Sequence, residues 1–372
     1  MRIVITGGGT GGHIYPGLAV AEALRASDPT TDILFVGGRG LEQRIVPRAG
    51  LSLKTVASAQ WPRDRSLRTV RAATMLAAGT VQAAWLLTRW KPHAVLATGG
   101  YAAAPVGIAA GLMRIPLVVQ EQNVLPGAAN RLVARWAAFV SVAHEDIAAR
   151  FPGKAVVTGV PVRREALEGD RRRGMQRFGL SDGRLTVLVL GGSLGASTLN
   201  AAVVQMARLV PDPAGIQIVH QTGKDHLAQV TALAAALPES LKYAAVAYID
   251  DVADAYACAD LVICRGGAGT LAEVTAHGLP VIAAPYPFAA AGEQDANARV
   301  LERAGAALVV TSAELDGVRL AELVARLRDP QARLAMGAAS RRLARPRAAE
   351  DVADLVRRAG GDAGRNMEEQ RG

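Results

Sequence analysis

The sequence predicts an α/β protein built from two Rossmann-like domains, each a doubly wound parallel sheet. Three observations lead to that class. The chain has 372 residues, half of them apolar and 20% charged, which suffices for two buried cores and excludes disorder. Short apolar, β-rich runs alternate with Ala- and Leu-rich stretches of helical length, the pattern of strand and crossover helix in a parallel sheet. Those runs fall into two series with an interruption between them.

The first series is Ile3–Ile5, Ile33–Val36, Ala94–Ala97, Leu117–Val119, Phe139–Val142 and Ala155–Val157. The second is Thr186–Leu190, Ile216–Val219, Ala245–Tyr248, Leu261–Ile263, Val281–Ala283 and Ala307–Val310. Between Thr158 and Arg184, Pro161, a charge cluster from Arg163 to Arg177 and Gly183 break the alternation. The domains are therefore expected over 1–162 and 163–345. Within the cluster, Arg171, Arg172 and Arg173 read as a solvated helix face rather than a ligand site. Beyond Pro330 the pattern is helical, Pro346 breaks it, and Glu350, Val352, Leu355 and Val356 recur at helical spacing. A last helix is expected over 346–360, with a frayed tail over 361–372.

Cys258 and Cys264 are the only cysteines, too few for a disulfide framework, which points to a reducing, cytoplasmic setting. The first twelve residues carry no signal-peptide pattern. Two windows, Pro92–Met113 and Leu185–Ala207, lack Asp, Glu, Lys and Arg. Gly99, Gly100 and Pro105 interrupt the first, and Gly191, Gly192 and Ser193 the second, so each reads as strand, glycine loop and helix start instead of a membrane span.

The net charge is +9, and it is placed unevenly. Residues 1–162 hold 17 Lys and Arg against 8 Asp and Glu, whereas the remainder holds 25 against 25. All four Trp (Trp61, Trp85, Trp90 and Trp136) also lie in the first half. A basic, Trp-bearing half suits an anionic partner; the same arginines also fit a scattered, solvated face.

Three segments can carry chemistry. Gly7 to Gly12 and His13 follow the first strand and lead into a helix through Pro16, Leu18 and Leu24, so backbone N–H groups there form an anion site. No acidic residue ends the second strand, where Gly37, Gly38 and Arg39 follow Val36, which weakens a dinucleotide reading. P-loop and paired-cysteine zinc patterns are absent. Gly191 to Ala196 repeats the strand, glycine loop and helix context, with Asn200 one turn on, and one such loop per domain suggests a cleft lined from both sides. Arg265 to Glu273 is the third segment: glycines let a diphosphate approach the backbone, and Glu273 can accept two hydrogen bonds from ribose hydroxyls. The same Thr270 and Glu273 spacing equally suits a capping box.

Taken in order, Gly8–His13, Thr98–Tyr101, Glu121–Asn123, Pro161–Arg163, Gly191–Ser193, Arg265–Glu273 and Pro285–Gln294 resemble the bacterial peptidoglycan N-acetylglucosaminyltransferases of glycosyltransferase family 28, over roughly residues 2–358. The chain departs from that pattern at Val160, where Asn is frequent, at Gln120, where His is frequent, and at Glu293.

The resemblance implies a GT-B fold, with acceptor and membrane contacts on the first domain, the UDP-sugar mainly on the second, and the last helix returning to the first. It implies transfer of GlcNAc from UDP-GlcNAc, with inversion, to the muramyl C4 hydroxyl of lipid I, giving lipid II. Donor contacts would come from Thr10, Gly11, Gly12, Asn123, Arg163, Ser193, the Ile249 backbone, Ala268, Gly269, Thr270, Leu271, Ala272, Glu273 and Gln294. Glu273 would take the ribose hydroxyls and Gln294 the sugar hydroxyls. His13 is the candidate general base, since imidazole titrates near working pH; a phosphate-orienting role is the alternative. Tyr101 and Glu121 are acceptor-side candidates.

No strict D-x-D occurs, so neither a metal nor a cofactor is expected in the donor site, and Arg163, loop amides and helix dipoles would carry the diphosphate charge. With a polyprenyl acceptor the expected surface is the cytoplasmic face of an anionic membrane, not nucleic acid. Arg63, Arg65, Arg68 and Arg71 leading into Met75 and Trp85 are the candidate contacts, and an ordinary core helix fits the same residues. Other cell-wall synthesis proteins are conceivable partners. A UDP-GlcNAc 2-epimerase, another GT-B transferase, or a nucleotide-sugar-binding scaffold would share the architecture.

Overall fold

The computed structural model describes residues 1–61, 67–192 and 195–369. The chain divides into two compact units, Met1–Arg163 together with the chain from Arg345 onward, and Arg164–Ala344. In the first, seven parallel strands run in the order β3-β2-β1-β4-β5-β6-β7: β1 (Arg2–Gly7), β2 (Asp32–Gly37), β3 (Ser52–Thr55), β4 (Ala94–Gly99), β5 (Leu117–Glu121), β6 (Phe139–Val142) and β7 (Ala155–Val157). In the second, six parallel strands run in the order β10-β9-β8-β11-β12-β13: β8 (Leu185–Leu190), β9 (Ile216–Gln221), β10 (Lys242–Val246), β11 (Leu261–Cys264), β12 (Val281–Ala283) and β13 (Ala307–Val309).

The central strands β4 and β8 are buried at every position, because crossover helices cover both faces. Two of the four edge strands, β3 and β10, are where the sequence pattern misleads. β3 escapes it altogether, since Leu53 is its sole apolar residue and the strand is mostly exposed. β10 lies at 242–246 and not at 245–248, because its ladder with β9 pairs Lys242 with Gln217 and Tyr243 with Ile218, and the ladder outweighs the local apolar run.

Both charge-free windows fold as strand, loop and helix: β4 then Ala103–Leu112, and β8 then Ser197–Leu209. The long helix is Leu67–Trp90. Its face of Ala72, Gly79, Ala83 and Leu87 is buried and packs beside Ala103–Leu112, whereas Val70, Val81 and Trp85 are more than 60% exposed on the other face. Among the described residues, 68–90 is long and apolar enough to cross a membrane by length and composition, with only 22% of its most apolar window buried.

The helix Ala348–Glu369 buries Val352, Ala353, Val356 and Ala359 in the core of the first unit, against the helix Gly11–Ser27. It continues through 361–369, where a frayed tail was expected. Once the first turns are docked, each further residue adds a hydrogen bond without a new nucleation cost, and Gly360 is tolerated because it packs directly against Met1 and the His93 carbonyl.

In each sheet the strand order reverses once, between β1 and β4 and between β8 and β11. A crevice opens at the carboxyl ends of the strands at such a point. The glycine-rich segments after β1, β4, β8 and β11 all end there.

Candidate active site

At the first reversal, the turn from β1 into the helix Gly11–Ser27 presents Thr10 as its N-cap residue, with extended backbone. Its carbonyl accepts from the His13 and Ile14 N–H groups. Its hydroxyl does not cap the helix but bonds His13 Nδ1 at 2.9 Å. The Thr98 hydroxyl donates to the His13 carbonyl at 2.6 Å, pinning that turn to β4. The imidazole packs against Gly99, and its pKa is pushed down to about 4 by burial, opposed by a hydrogen bond to the Gly8 carbonyl. It is therefore neutral at pH 7 and able to accept a proton, but burial makes it a weaker base than the free imidazole expected from the sequence. Gly100 has φ +78°, and any side chain there would strike the Gly8 backbone, which explains the Thr98–Tyr101 motif.

Beneath this loop lies Glu42, fully buried, on the helix Glu42–Arg48. Its carboxylate accepts from Gly38 N–H at 2.7 Å and Gly9 N–H at 3.3 Å. The Tyr101 ring covers Gly9, and burial together with the Glu42 charge raises its phenol pKa. A carboxylate of the chain itself thus uses part of the anion-binding capacity expected of Gly7–Gly12. A dinucleotide site would have an acid at the end of β2; in this chain the acid stands five residues later, where Glu42 follows Gly38, Arg39, Gly40 and Leu41.

Glu121, at the end of β5, is also buried. Its carboxylate accepts from Asn123 N–H (2.9 Å), Gly127 N–H (3.0 Å) and Asn130 Nδ2 (2.9 Å). Burial raises its pKa and these donors oppose the shift. Its oxygens serve the loop that carries Gln122 and Asn123, and Gln122 Nε2 in turn donates to the Gly12 carbonyl at 3.2 Å. Gln120 is fully buried, and its amide atoms have no hydrogen-bond partner. Arg163 lies over the Tyr15 ring at 5.0 Å.

At the second reversal, Gly191 and Gly192 follow β8; Ser193 lies outside the described residues, so its donor contact is not placed. Gln221 at the end of β9 ties two loops together: Nε2 donates to the Gly192 carbonyl at 3.1 Å, and Oε1 accepts from Ile249 N–H at 3.0 Å. The N–H of Ile249 is therefore spent inside the fold. Behind the loop, Asn200 Nδ2 donates to the Thr222 carbonyl at 2.9 Å, so Asn200 Oδ1 accepts from His220 Nε2 (3.0 Å) and His220 Nδ1 accepts from the Tyr243 hydroxyl (2.5 Å). Burial pushes His220 down to about 3 and raises Tyr243.

Arg265, at the end of β11, is 8% exposed. It donates to the Ala284 carbonyl at 2.9 Å and to the Thr198 hydroxyl at 2.8 Å, and its Nε has no partner. Thr198 lies in the first turn of Ser197–Leu209, where the helix dipole is positive. A buried cation set against a helix N-terminus, bonded only to neutral groups, is an arrangement that an anion stabilises. Burial accordingly lowers the Arg265 pKa.

The helix Ala268–Ala276 has Gly267 as its N-cap, so Thr270 is already inside the first turn and caps nothing. Glu273 is not its capping partner: Oε2 of Glu273 accepts from the Tyr256 hydroxyl at 2.8 Å. Ala268, Gly269 and Ala272 are partly exposed in the first turns after β11, whereas Leu271, expected among the donor contacts, turns its side chain into the core of the second unit. Gln294 lies in the first turn of Glu293–Arg303, with Oε1 accepting from Tyr286 N–H at 2.9 Å.

In the first unit His13 and Tyr101 pack on the Thr10 and Gly9 turn, and Gln122 links the Glu121–Asn123 segment to Gly12; in the second, Ile249 is tied through Gln221 to Gly192, Glu273 to Tyr256, and Gln294 lies against Gly266. Among the described residues, no group of three or more His, Cys, Asp and Glu is arranged to hold a metal ion. Sequence reasoning missed Glu42, Gln221 and Tyr256, whose roles depend on contacts distant in the chain.

Residues 3–142 match the glycosyltransferase family 28 N-terminal domain, and residues 186–355 match the family 28 C-terminal domain. A Desulforudis audaxviator protein named UDP-N-acetylglucosamine--N-acetylmuramyl-(pentapeptide) pyrophosphoryl-undecaprenol N-acetylglucosamine transferase is 40% identical, over 97% of this chain and 99% of its own. A Geobacter sulfurreducens protein of the same name is 40% identical over 95% and 97%. The crystal structure of Acinetobacter baumannii MurG superimposes with a TM-score of 0.77 at 29% identity, covering 96% of this chain and 99% of that one. With two consecutive domain matches, relatives aligned along nearly their whole length, and a GT-B architecture of two parallel-sheet units, the chain belongs to glycosyltransferase family 28.

Proposed function

We propose that this protein transfers GlcNAc from UDP-GlcNAc to the C4 hydroxyl of the MurNAc in undecaprenyl-pyrophosphoryl-MurNAc-pentapeptide, converting lipid I to lipid II in peptidoglycan synthesis. The observation that carries this reading is the near-complete alignment, at about 40% identity, with transferases of that name. The geometry of both crevices supports it.

In this mechanism the acceptor hydroxyl attacks the anomeric carbon from the face opposite UDP. A new C–O bond forms, the bond to the diphosphate breaks, and His13 takes the hydroxyl proton. The neutral imidazole suits that role, and Thr10 and Gly8 hold its ring. Glu273 receives the ribose hydroxyls and Gln294 the sugar hydroxyls. Arg265, the first turn of Ser197–Leu209 and Arg163 stabilise the charge that grows on the departing diphosphate. Glu121 acts by holding the Asn123 loop.

The acceptor is lipid-linked, so the protein works at the cytoplasmic face of an anionic membrane. The exposed apolar face of Leu67–Trp90 supports that reading: Arg89 sits 5.2 Å over the Trp85 ring, Arg68 and Arg71 are exposed at the start of the helix, and Met75 is half-buried. Arg63 and Arg65 lie outside the described residues. Incubation with lipid I and UDP-GlcNAc is expected to release UDP and form lipid II. Formation of UDP-ManNAc from UDP-GlcNAc alone, or binding without UDP release, would replace this function with an epimerase or a scaffold.

A further inference from the structure

We propose that Tyr256 is the positioning residue of the donor site, holding the Glu273 carboxylate in the orientation that meets the ribose hydroxyls; this rests on the reading of Glu273 as the ribose ligand. A glutamate side chain has three rotatable bonds, and a free one would lose that freedom on binding nucleotide. Here one oxygen is already held by the Tyr256 hydroxyl at 2.8 Å. A charge-assisted bond of this kind is among the stronger contacts available to a carboxylate.

The tyrosine itself is clamped. It is 1% exposed, on the helix Val252–Cys258, with its ring 4.9 Å from that of His277 at an interplanar angle of 31°. His277 is fixed in turn, its Nε2–H donating to the Ala166 carbonyl at 2.8 Å. The chain from Ala166 through His277 and Tyr256 to Glu273 is thus a rigid support that joins three segments far apart in sequence. Burial raises the phenol pKa well above its ordinary value, so the hydroxyl stays a donor. Orientation is therefore established before nucleotide arrives.

The test measures binding of UDP and of 2′,3′-dideoxy-UDP to the full-length parent, Tyr256→Phe and Glu273→Gln by calorimetry. The Phe variant keeps the ring and loses one oxygen, so a thermal melt is expected to show it folded. Expected is a loss of about fivefold or more in UDP affinity for Tyr256→Phe, with the dideoxy analogue bound equally by parent and variant. A merely structural tyrosine would lower the melting temperature and weaken both ligands alike, which overturns the proposal. If Glu273→Gln discriminates between the ligands and Tyr256→Phe does not, the ribose reading stands and the positioning role falls. If neither discriminates, the ribose reading fails and the proposal with it.

Discussion

At the residue scale, the useful distinction is between side chains that reach the crevice and side chains that hold them. Glu273, proposed above as the ribose ligand, is assigned to the first group. A hydrogen bond to a charged group contributes about 1.5–3 kcal/mol, so Glu273→Gln is expected to weaken UDP-GlcNAc binding about tenfold or more in an equilibrium titration, with the melting temperature little changed. Thr270 does not cap its helix and the Glu273 carboxylate is bound to Tyr256, so a loss of helix stability is not the expected outcome. For His13, loss of a general base predicts a fall in turnover of roughly 100-fold or more in His13→Ala, with donor affinity nearly unchanged. The depressed pKa of about 4 adds a second expectation: the acid limb of kcat/KM for the parent lies nearer pH 4 than pH 6.5. An acid limb at 6.5 that persists in His13→Ala would assign the proton to another group.

At the scale of elements, the helix Leu67–Trp90 presents two unlike faces. Its small residues, Ala72, Gly79 and Ala83, allow close packing on one side, and Gly79 approaches the Ala57 carbonyl so closely that a side chain would collide. The opposite side leaves Val70, Val81 and Trp85 exposed. Each basic group near an anionic surface contributes about 1 kcal/mol. Replacing Arg63, Arg65, Arg68 and Arg71 together by Ser is therefore expected to reduce sedimentation with anionic vesicles strongly, and added salt should act on the parent in the same way. Turnover of a short-chain, water-soluble acceptor analogue should survive. Equal vesicle binding by the quadruple variant and the parent at matched ionic strength would move the membrane surface elsewhere.

For the whole molecule, three histidines whose pKa burial lowers, His13, His220 and His277, couple stability to pH. In the fold His220 protonates only near pH 3 and His13 near pH 4, whereas in the unfolded chain each protonates near 6.5. The unfolded state thus binds more protons below 6.5, so these contributions are complete above that pH and are lost as it falls toward the folded values. Each proton adds a slope of about 1.4 kcal/mol per pH unit. Urea midpoints are expected to decline from pH 7 to pH 4, and His220→Asn, though less stable at pH 7, should show the shallower decline. An unchanged slope would mean that His220 titrates normally.

What was legible from the residues alone follows from local physics. Apolar runs spaced by helices forecast two parallel sheets, and glycines after strands marked where each crevice opens, because backbone close approach leaves a compositional trace. The windows without charges were readable as strand and loop for the same reason. What remained hidden were partnerships across the chain: Glu42 under the first loop, Gln221 joining Gly192 to Ile249, and Tyr256 on Glu273. Thr270 and Glu273 fitted a capping box and a ribose site equally well by spacing, and the fold removes the capping box, since Gly267 is the N-cap and the Glu273 carboxylate accepts from a hydroxyl seventeen residues away in sequence. Likewise β10 took its register from β9 and not from its own apolar run. Periodicity and turn chemistry act within a few residues, so the sequence by itself determined the fold class and the places where loops gather. Desolvation, hydrogen bonds and ring contacts act between elements that only the folded sheets bring together, so the tertiary structure decided which side chains are held and which are neutral.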